Sequence, residues 1–260
     1  MRGACLAAVL LAGAAFGAEL EPAPAGLDGR QVAQRAEDTL RSAATYLEAT
    51  MTITSPRLPK PRVVSLRYWD DRINKRSLIR ILAPAADAGT GFLKLHPNLW
   101  MYAPRTERTL RIPASMMLQP WMGSDFTHDD LVNESSEIDD YDHELLGVDP
   151  RPEAAEGRAY VVEYRPHEEA QVAWGRIVAW IDVERGTPLR MDYFDEAGER
   201  LRELRFDNVR EVQSRFYPHG WTMTPLDKKG HQTRIQVDEI RFEQTFDESI
   251  FTTRQLDRSD

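Results

Sequence analysis

The feature that most constrains the fold is an alternation of apolar and polar residues that recurs from residue 46 onward. Met51 and Ile53 alternate with threonines, and Leu189, Met191 and Tyr193 alternate with charged residues. Such alternation is typical of β-strands with one buried face. Turn-forming residues separate the runs at intervals of about 10 to 15 residues, and connections this short join antiparallel neighbours. The pattern predicts about ten or eleven antiparallel strands.

Two features modify this alternation near the ends of the chain. Val32, Ala36 and Leu40 recur at helical spacing, so we predict an amphipathic helix over residues 28–44. In the last long strand the parity of the apolar residues switches at Asp238-Glu239. This switch predicts a β-bulge, a device that lets a sheet curve.

Residues 114–136 are the least strand-like segment of the chain. Within this segment, residues 126–131 have the pattern of a short helical turn, with Ser124 or Asp125 as its N-cap. A strongly curved sheet has a concave apolar face that other elements must cover. We therefore predict a mainly β protein with some α-helix. Its antiparallel sheet is a strongly curved open barrel, covered by the N-terminal helix and by a central helical lid.

The first 18 residues have the pattern of a secretory signal peptide. Arg2 precedes an apolar stretch over residues 4–15, and small residues suited to cleavage follow it. Cys5, the only cysteine, lies within this segment, which fits a bacterial periplasmic protein without disulfides. We predict a single domain over residues 19–260, located in the periplasm. No transmembrane segment is expected in the mature chain, because no later stretch approaches about 20 apolar residues.

The acidic balance of the chain argues against two classes of partner. The sequence has 33 Lys and Arg residues against 42 Asp and Glu residues, a formal net charge of −9. Nucleic-acid-binding proteins usually carry a basic face, and anionic lipid headgroups attract basic segments. The charge therefore argues against nucleic-acid binding and against a purely electrostatic attachment to anionic lipid.

Soft and aromatic side chains concentrate between residues 100 and 126, where four of the eight methionines and two of the six tryptophans lie. Methionine suits irregular or variable apolar ligands. The residues predicted to line a cavity and its lid are Trp100, Tyr102, Met116, Met117, Leu118, Trp121, Met122 and Phe126. Trp100 and Tyr102 share one parity and are expected to point inward, which would turn Met101 outward. Alternatively, these residues fill the core permanently.

Three neighbouring residues are assigned a structural role. Gly123 permits a tight backbone turn, and Ser124 or Asp125 can cap the helical turn that follows. These residues are therefore predicted to form a hinge and cap, although a direct contact with the ligand is the alternative.

Metal and catalytic chemistry have little support in the sequence. His128, Asp129 and Asp130 are adjacent rather than one helical turn apart, so we interpret them as an acidic helix start and expect no metal or other cofactor. The chain lacks a G-x-S-x-G motif, a mature cysteine and a phosphate-binding glycine loop. We expect no enzymatic activity. A carboxylate-pair hydrolase, using pairs such as Asp70/Asp71 or Asp139/Asp140, stays open as an alternative.

Two motifs resemble those of a known family. The first is L-K-L-H-P-N-L-W-M-Y-A-P-R-T-E-R-T-L-R-I-P over residues 93–113, and the second is Q-P-W-M-G-S-D-F-T-H-D-D-L over residues 119–131. Both resemble the outer-membrane lipoprotein-sorting-like proteins, which are periplasmic and LolA-like. Residues 115–120 depart from the relatives, because Met-Met-Leu stands where many of them have small polar residues.

The resemblance implies a half-barrel antiparallel sheet around an apolar cavity that helices close. It also implies a non-catalytic carrier of lipid, or of the acyl chains of lipoproteins, that works with an inner-membrane RND-type permease. The alternative is a non-catalytic periplasmic adaptor that docks a transporter or sensor protein, with the apolar residues exposed as a patch rather than enclosing a cavity.

Overall fold

Thirteen β-strands pair into one antiparallel sheet in the computed structural model, which describes residues 19–132, 137–153, 157–170 and 172–257. The predicted signal peptide lies outside the described residues. The strands are β1 (Ala44–Thr54), β2 (Arg62–Asp71), β3 (Arg76–Ala83), β4 (Gly91–Leu95), β5 (Asn98–Ala103), β6 (Arg108–Ile112), β7 (Tyr141–Asp149), β8 (Ala159–Pro166), β9 (Arg176–Asp182), β10 (Pro188–Phe194), β11 (Arg200–Val212), β12 (Arg215–Pro225) and β13 (Gln232–Glu243). The helices are α1 (Gly29–Leu40), α2 (His128–Val132) and α3 (Thr253–Leu256), and short 3-10 turns span Ala114–Met116, Trp121–Gly123 and Glu248–Ile250.

The strand order divides the sheet into two meanders. Strands β1 to β6 follow one another across one half, and β7 to β13 follow one another across the other half. The two halves are joined where β1 pairs with β13, and the sheet is open because β6 and β7 form its edges. The segment that connects β6 to β7 therefore runs from one edge of the sheet to the other.

Two sequence predictions about these elements need correction. The sheet has thirteen strands rather than ten or eleven, and even short runs such as β4 and β5 pair as separate strands across a tight turn. The first helix ends at Leu40, not at residue 44. Arg41 is extended, and its guanidinium binds the Asp70 carboxylate at 2.8 and 2.9 Å, so the chain turns directly into β1.

The sheet curves strongly. Ile79 in β3 and Tyr164 in β8 are eight strand positions apart, yet both line the same cavity. In a flat sheet, a spacing of about 4.8 Å per strand would separate them by roughly 38 Å. The predicted bulge is confirmed: Glu48 pairs with Glu239 and Ala49 pairs with Val237, which leaves Asp238 as the extra residue.

The two faces of the sheet carry separate apolar clusters. The inner face holds the main core, to which α1 and the segment between β6 and β7 also contribute. The outer face holds two smaller clusters. One contains Trp180 and Phe194 and lies beside Leu20 from the N-terminal segment. The other contains Leu78 and Leu93 and is covered by the C-terminal segment that includes α3.

No helix within the described ranges is long and apolar enough to cross a membrane.

Candidate functional site: an apolar cavity between sheet, helix and lid

A cavity of about 200 Å³ lies between the inner face of the sheet, α1 and the connection from β6 to β7. We call residues 113–132 of this connection the lid. Most of the cavity lining is apolar. Ala33 and Ala36 come from α1, Phe126 and Leu131 come from the lid, and Ile79 is one of many contributions from the sheet. An apolar lining interrupted by a few polar groups is typical of small-molecule sites.

The lid is anchored in the core by large buried side chains. Trp121 is completely buried, and its ring centroid lies 5.2 Å from that of Phe92 in β4. The lid ends at α2, where buried Lys94 donates a hydrogen bond to the Val132 carbonyl at 3.1 Å. A cation near the carbonyl end of a helix is favourable because the last carbonyls have no partners within the helix.

The centre of the lid is tied to two hairpins. The Asp125 backbone N–H donates to the buried Thr233 hydroxyl at 2.9 Å, and this hydroxyl donates to the Asp125 carboxylate at 2.7 Å. Arg62 at the start of β2 donates to the Met122 carbonyl and pairs with Asp87 at 2.7 Å. Met122 and Gly123 both have left-handed backbone, with φ of 49° and 77°. Glycine accepts this conformation at no steric cost, which is consistent with a tight turn at Gly123.

The cap of the lid helix differs from the prediction. Thr127, rather than Ser124 or Asp125, caps α2. The Thr127 hydroxyl accepts from the Asp130 backbone N–H at 3.1 Å, and the Asp130 carboxylate accepts from the Thr127 N–H at 2.7 Å, as in a capping box. Ser124 instead forms a local loop, in which its hydroxyl contacts both backbone groups of Phe126 at 3.2 Å.

A buried ion pair joins α2 to the far half of the sheet. Arg202 in β11 holds Asp130 through two hydrogen bonds of 2.7 and 2.6 Å. The guanidinium also lies over the rings of Trp174 and Tyr193, at 4.1 and 4.3 Å. Burial alone would raise the pKa of Asp130, but Arg202 and the hydrogen bonds from Thr127 hold this pKa below its usual value. Asp130 is therefore charged at neutral pH.

Two glutamates on the cavity wall are harder to ionise than usual. Burial, together with the negative charges of Glu37 and Asp130, raises the pKa of Glu137 to about 7. Burial also raises the pKa of Glu37, whose Oε2 atom has no hydrogen-bond partner among the described residues. The cavity thus combines an apolar lining with one carboxyl group, that of Glu137, which can be neutral near physiological pH.

The predicted site residues separate into groups. Phe126 lines the cavity, Met117 and Met122 pack against the inner core, and Trp121 is fully within that core. Met116 and Leu118 point to solvent, with exposed fractions of 45% and 52%. Ligand binding by these lid residues stays a prediction, although among them only Phe126 contacts the cavity.

The parity of β5 is the reverse of what we expected. Trp100 and Tyr102 face outward and pack with the outer cluster under the C-terminal segment, whereas Met101 packs toward the inner core. Strand alternation makes the two faces mutually exclusive. The sequence did not reveal the face, because both parities of this strand are apolar and both faces of the sheet are covered here.

Sequence reasoning missed the polar part of the cavity lining. Glu37 follows Ala33 by four residues, so it lies on the same stripe of α1 that faces the core. A charged residue on an otherwise apolar stripe was the available signal. The pairing of Asp130 with Arg202 joins residues 72 positions apart and had no local signal.

The carboxylate pairs considered for hydrolase chemistry do not form a common site. Asp70 pairs with Arg41 at 2.8 Å, and Asp71 pairs with Arg76 at 2.7 Å. Asp139 is mostly exposed and lies 3.4 Å from Arg30. Across the described ranges, no three His, Cys, Asp or Glu side chains are grouped so that they could hold a metal ion.

Comparisons with known proteins agree with this architecture. A family model described as an uncharacterized protein matches residues 74–258. No curated protein matches the chain. A DUF1329 family protein from Desulfovibrio piger has a TM-score of 0.77 at 24% identity, over 88% of this chain and 97% of that one.

Two further solved structures share the fold. A protein from Vibrio parahaemolyticus, described as an outer membrane lipoprotein-sorting protein domain, has a TM-score of 0.75 at 23% identity, over 88% of this chain and 98% of that one. A LolA superfamily protein from Nitrosomonas europaea has a TM-score of 0.73 at 16% identity, over 88% and 99% of the two chains. The chain therefore belongs to the family of the matching model, and its fold is that of the LolA-like, lipoprotein-sorting-like proteins.

Proposed function

We propose that the protein is a periplasmic carrier that binds one acyl chain of a lipid or lipoprotein in the cavity and moves it between membranes. The observation that carries this proposal is the cavity itself, which is bounded by the sheet, α1 and a lid. Each CH₂ group that leaves water contributes about 0.8 kcal/mol, so a C16 chain could contribute on the order of 10 kcal/mol before losses. Such binding needs no catalytic group, and we propose that the protein is not an enzyme.

The size of the cavity favours one narrow ligand over a bulky one. Pockets for drug-sized molecules usually have volumes of roughly 300–1,000 Å³, whereas this cavity has about 200 Å³. A larger ligand would require the lid to move, and the left-handed backbone at Met122 and Gly123 is a suitable place for a hinge. We further propose that an RND-type permease of the inner membrane delivers or receives the ligand.

The test is to fill the cavity without changing the surface. Ala36 lines the cavity from α1, whereas Gln31 on the same helix is exposed. We expect Ala36→Trp to abolish the binding of a fluorescent fatty acid and the co-purification of lipid from the periplasm. Gln31→Trp is the matched control and should retain both. Native mass spectrometry measures the lipid, and thermal unfolding confirms that both variants fold.

Two results would contradict the carrier proposal. One is a wild-type protein that carries no lipid from the periplasm and binds no fatty acid probe. The other is a folded Ala36→Trp variant that binds lipid as tightly as the wild type does.

One observation favours the alternative of an adaptor. Met116 and Leu118 expose apolar side chains on the outside of the lid, where a partner protein could cover them. A Met116→Ser/Leu118→Ser variant should lose a partner and keep its lipid if the protein is an adaptor. It should keep transfer activity if the carrier works through the cavity alone.

A further inference from the structure

Two neighbouring hairpin tips form a distinct surface at one end of the sheet. The tips are the β1–β2 turn, residues 55–61, and the β12–β13 turn, residues 226–230, and together we call them the tip surface. They lie side by side because β1 pairs with β13. A Cβ atom on Gly230 would lie 2.9 Å from Pro56, and the Ser55 hydroxyl lies 3.3 Å from the His231 ring. The two turns therefore act as one surface.

The tip surface is basic although the protein as a whole is acidic. Arg57, Lys60, Lys228 and Lys229 are exposed, and Asp227 is the one acidic residue in the two turns. None of the four cations forms an ion pair with a described residue. Arginines elsewhere are commonly paired, for example Arg202 with Asp130 and Arg234 with Asp207. The positive charge of the tips is thus available to an external partner.

Exposed apolar side chains are interspersed with these cations. Leu58 and Leu226 have exposed fractions of 37% and 46%. Three prolines in the first tip, Pro56, Pro59 and Pro61, restrict its backbone, because each fixes its own φ angle. A restricted loop loses less conformational entropy when it binds a partner. The combination of leucines beside cations is the pattern of surfaces that lie in the membrane interface.

We propose that the tip surface docks the protein on a bilayer that contains anionic phospholipid. The cations would contact phosphate groups, while Leu58 and Leu226 would enter the boundary between headgroups and acyl chains. A bilayer fits better than a protein partner, because the seven residues of one tip and the five of the other are far fewer than the 20 to 30 residues per side of a standard protein interface.

The charge distribution at the same end of the sheet sets the orientation of docking. The β10–β11 turn lies beside the β12–β13 turn, since the Leu226 N–H donates to the Leu201 carbonyl at 2.8 Å. This turn carries Asp195, Glu196 and Glu199, which an anionic surface would repel. The basic tips therefore face the bilayer and the acidic turn faces away. Docking through them also places the membrane beside Arg62, which holds the lid at Met122.

Vesicle co-sedimentation tests this proposal. We expect the wild-type protein to bind vesicles of phosphatidylcholine and phosphatidylglycerol in equal parts, and not to bind phosphatidylcholine alone. Binding should fall when salt rises from roughly 0.05 M to 0.5 M, because screening shortens the range of the attraction. Each cation near an anionic surface strengthens binding roughly fivefold, so Lys228→Glu/Lys229→Glu should weaken it at least about 25-fold.

The matched control makes the same change of charge at the opposite end of the sheet. Lys75 in the β2–β3 turn and Arg151 after β7 are exposed there, and Lys75→Glu/Arg151→Glu should leave vesicle binding within about twofold of wild type. The leucines are tested by Leu58→Ser/Leu226→Ser, which should weaken binding at low salt as well as at high salt.

Three outcomes would overturn the proposal: no binding of the wild type to anionic vesicles, equal weakening in the tip variant and the control, or capture of an acidic protein by a wild type that binds no vesicles. Binding of the fluorescent fatty acid by the same variants reports on the cavity separately. Failure of docking therefore leaves the carrier proposal intact, and failure of the carrier leaves docking intact.

Discussion

The lid and the C-terminal segment each cover one face of the same sheet, and they are fastened in a similar way. Both contain a very short helix whose last carbonyl accepts a hydrogen bond from a buried cation. Lys94 donates to Val132 in the lid at 3.1 Å, and Arg80 donates to Leu256 in the C-terminal segment at 2.8 Å. The cations come from neighbouring strands, β4 and β3.

The two covers differ in how they fill the space beneath them. Leu256 is completely buried, and a Cβ atom on Gly91 would lie only 2.6 Å from its side chain, so the C-terminal segment packs directly onto the sheet. The lid packs tightly at Trp121 but leaves the cavity beside Phe126 and Leu131. Similar hydrogen bonds from a buried cation to a short helix thus accompany a closed core on one face of the sheet and a potential binding site on the other. The difference lies in whether apolar side chains fill the gap.

The largest expected effect tests the ion pair between Asp130 and Arg202, which fastens the lid and has no counterpart in the described part of the C-terminal segment. Asp130→Asn keeps the shape of the side chain but leaves the guanidinium of Arg202 buried without its counter-ion. Breaking one partner of a buried pair usually costs about 3–5 kcal/mol. We expect the free energy of unfolding in urea to fall by about this amount. Asp139→Asn, at an exposed pair with Arg30, should change it by less than about 0.5 kcal/mol. Equal effects would show that the buried pair does not fasten the lid.

A matched pair of leucine truncations tests the difference in filling. Leu256→Ala removes a side chain from a packed site, and we expect a loss of about 2–5 kcal/mol in the free energy of unfolding. Leu131→Ala removes a side chain that already borders empty space, and we expect a loss nearer 1 kcal/mol. Urea unfolding measures both. The comparison fails if Leu131→Ala is as destabilising as Leu256→Ala.

A further prediction concerns the pH dependence of stability, which reports on the polar lining beneath the lid. Burial and nearby carboxylates raise the pKa of Glu137 to about 7 in the folded protein, whereas an unfolded glutamate has a pKa of about 4.3. The folded state therefore holds this proton more tightly than the unfolded state. The resulting stability is fully present below about pH 4.3 and is lost as the pH rises through about 7. Glu137→Gln should flatten the stability profile between these values, as measured by unfolding at a series of pH values. An unchanged profile would show that Glu137 does not titrate in this range.

The local sequence pattern predicted the strands, and even the bulge at Asp238. Both the alternation of apolar and polar residues and its interruption can be seen within a few consecutive residues. The end of α1 was missed because Arg41 leaves the helix for a distant partner, Asp70. The face of Trp100 could not be predicted, since β5 is covered on both sides and its alternation gives no direction.

Of the residues predicted to line the cavity and its lid, Phe126 alone lines the cavity, and ligand binding by the others stays a prediction. Methionine and tryptophan enrichment located the lid, but the cavity wall is built mainly from strand residues such as Tyr164 and Tyr193, which alone look like ordinary core. The polar lining depends on contacts between distant elements. The cavity depends on how α1 and the lid pack against the sheet, and the identity of single residues does not reveal that packing.

The pairing of β1 with β13 has a consequence for the order of events during synthesis. The two strands are neighbours near the centre of the sheet, although most of the chain lies between them in sequence. Thr54 at the end of β1, for example, pairs with Gln232 at the start of β13. A growing chain can assemble the first meander early, but its β1 edge stays unpaired until β13, the last strand, has been made. Closing so long a loop is slow, and an unpaired edge invites aggregation. We therefore expect newly made chains to need either a chaperone or rapid pairing of β13 with β1 to avoid aggregation.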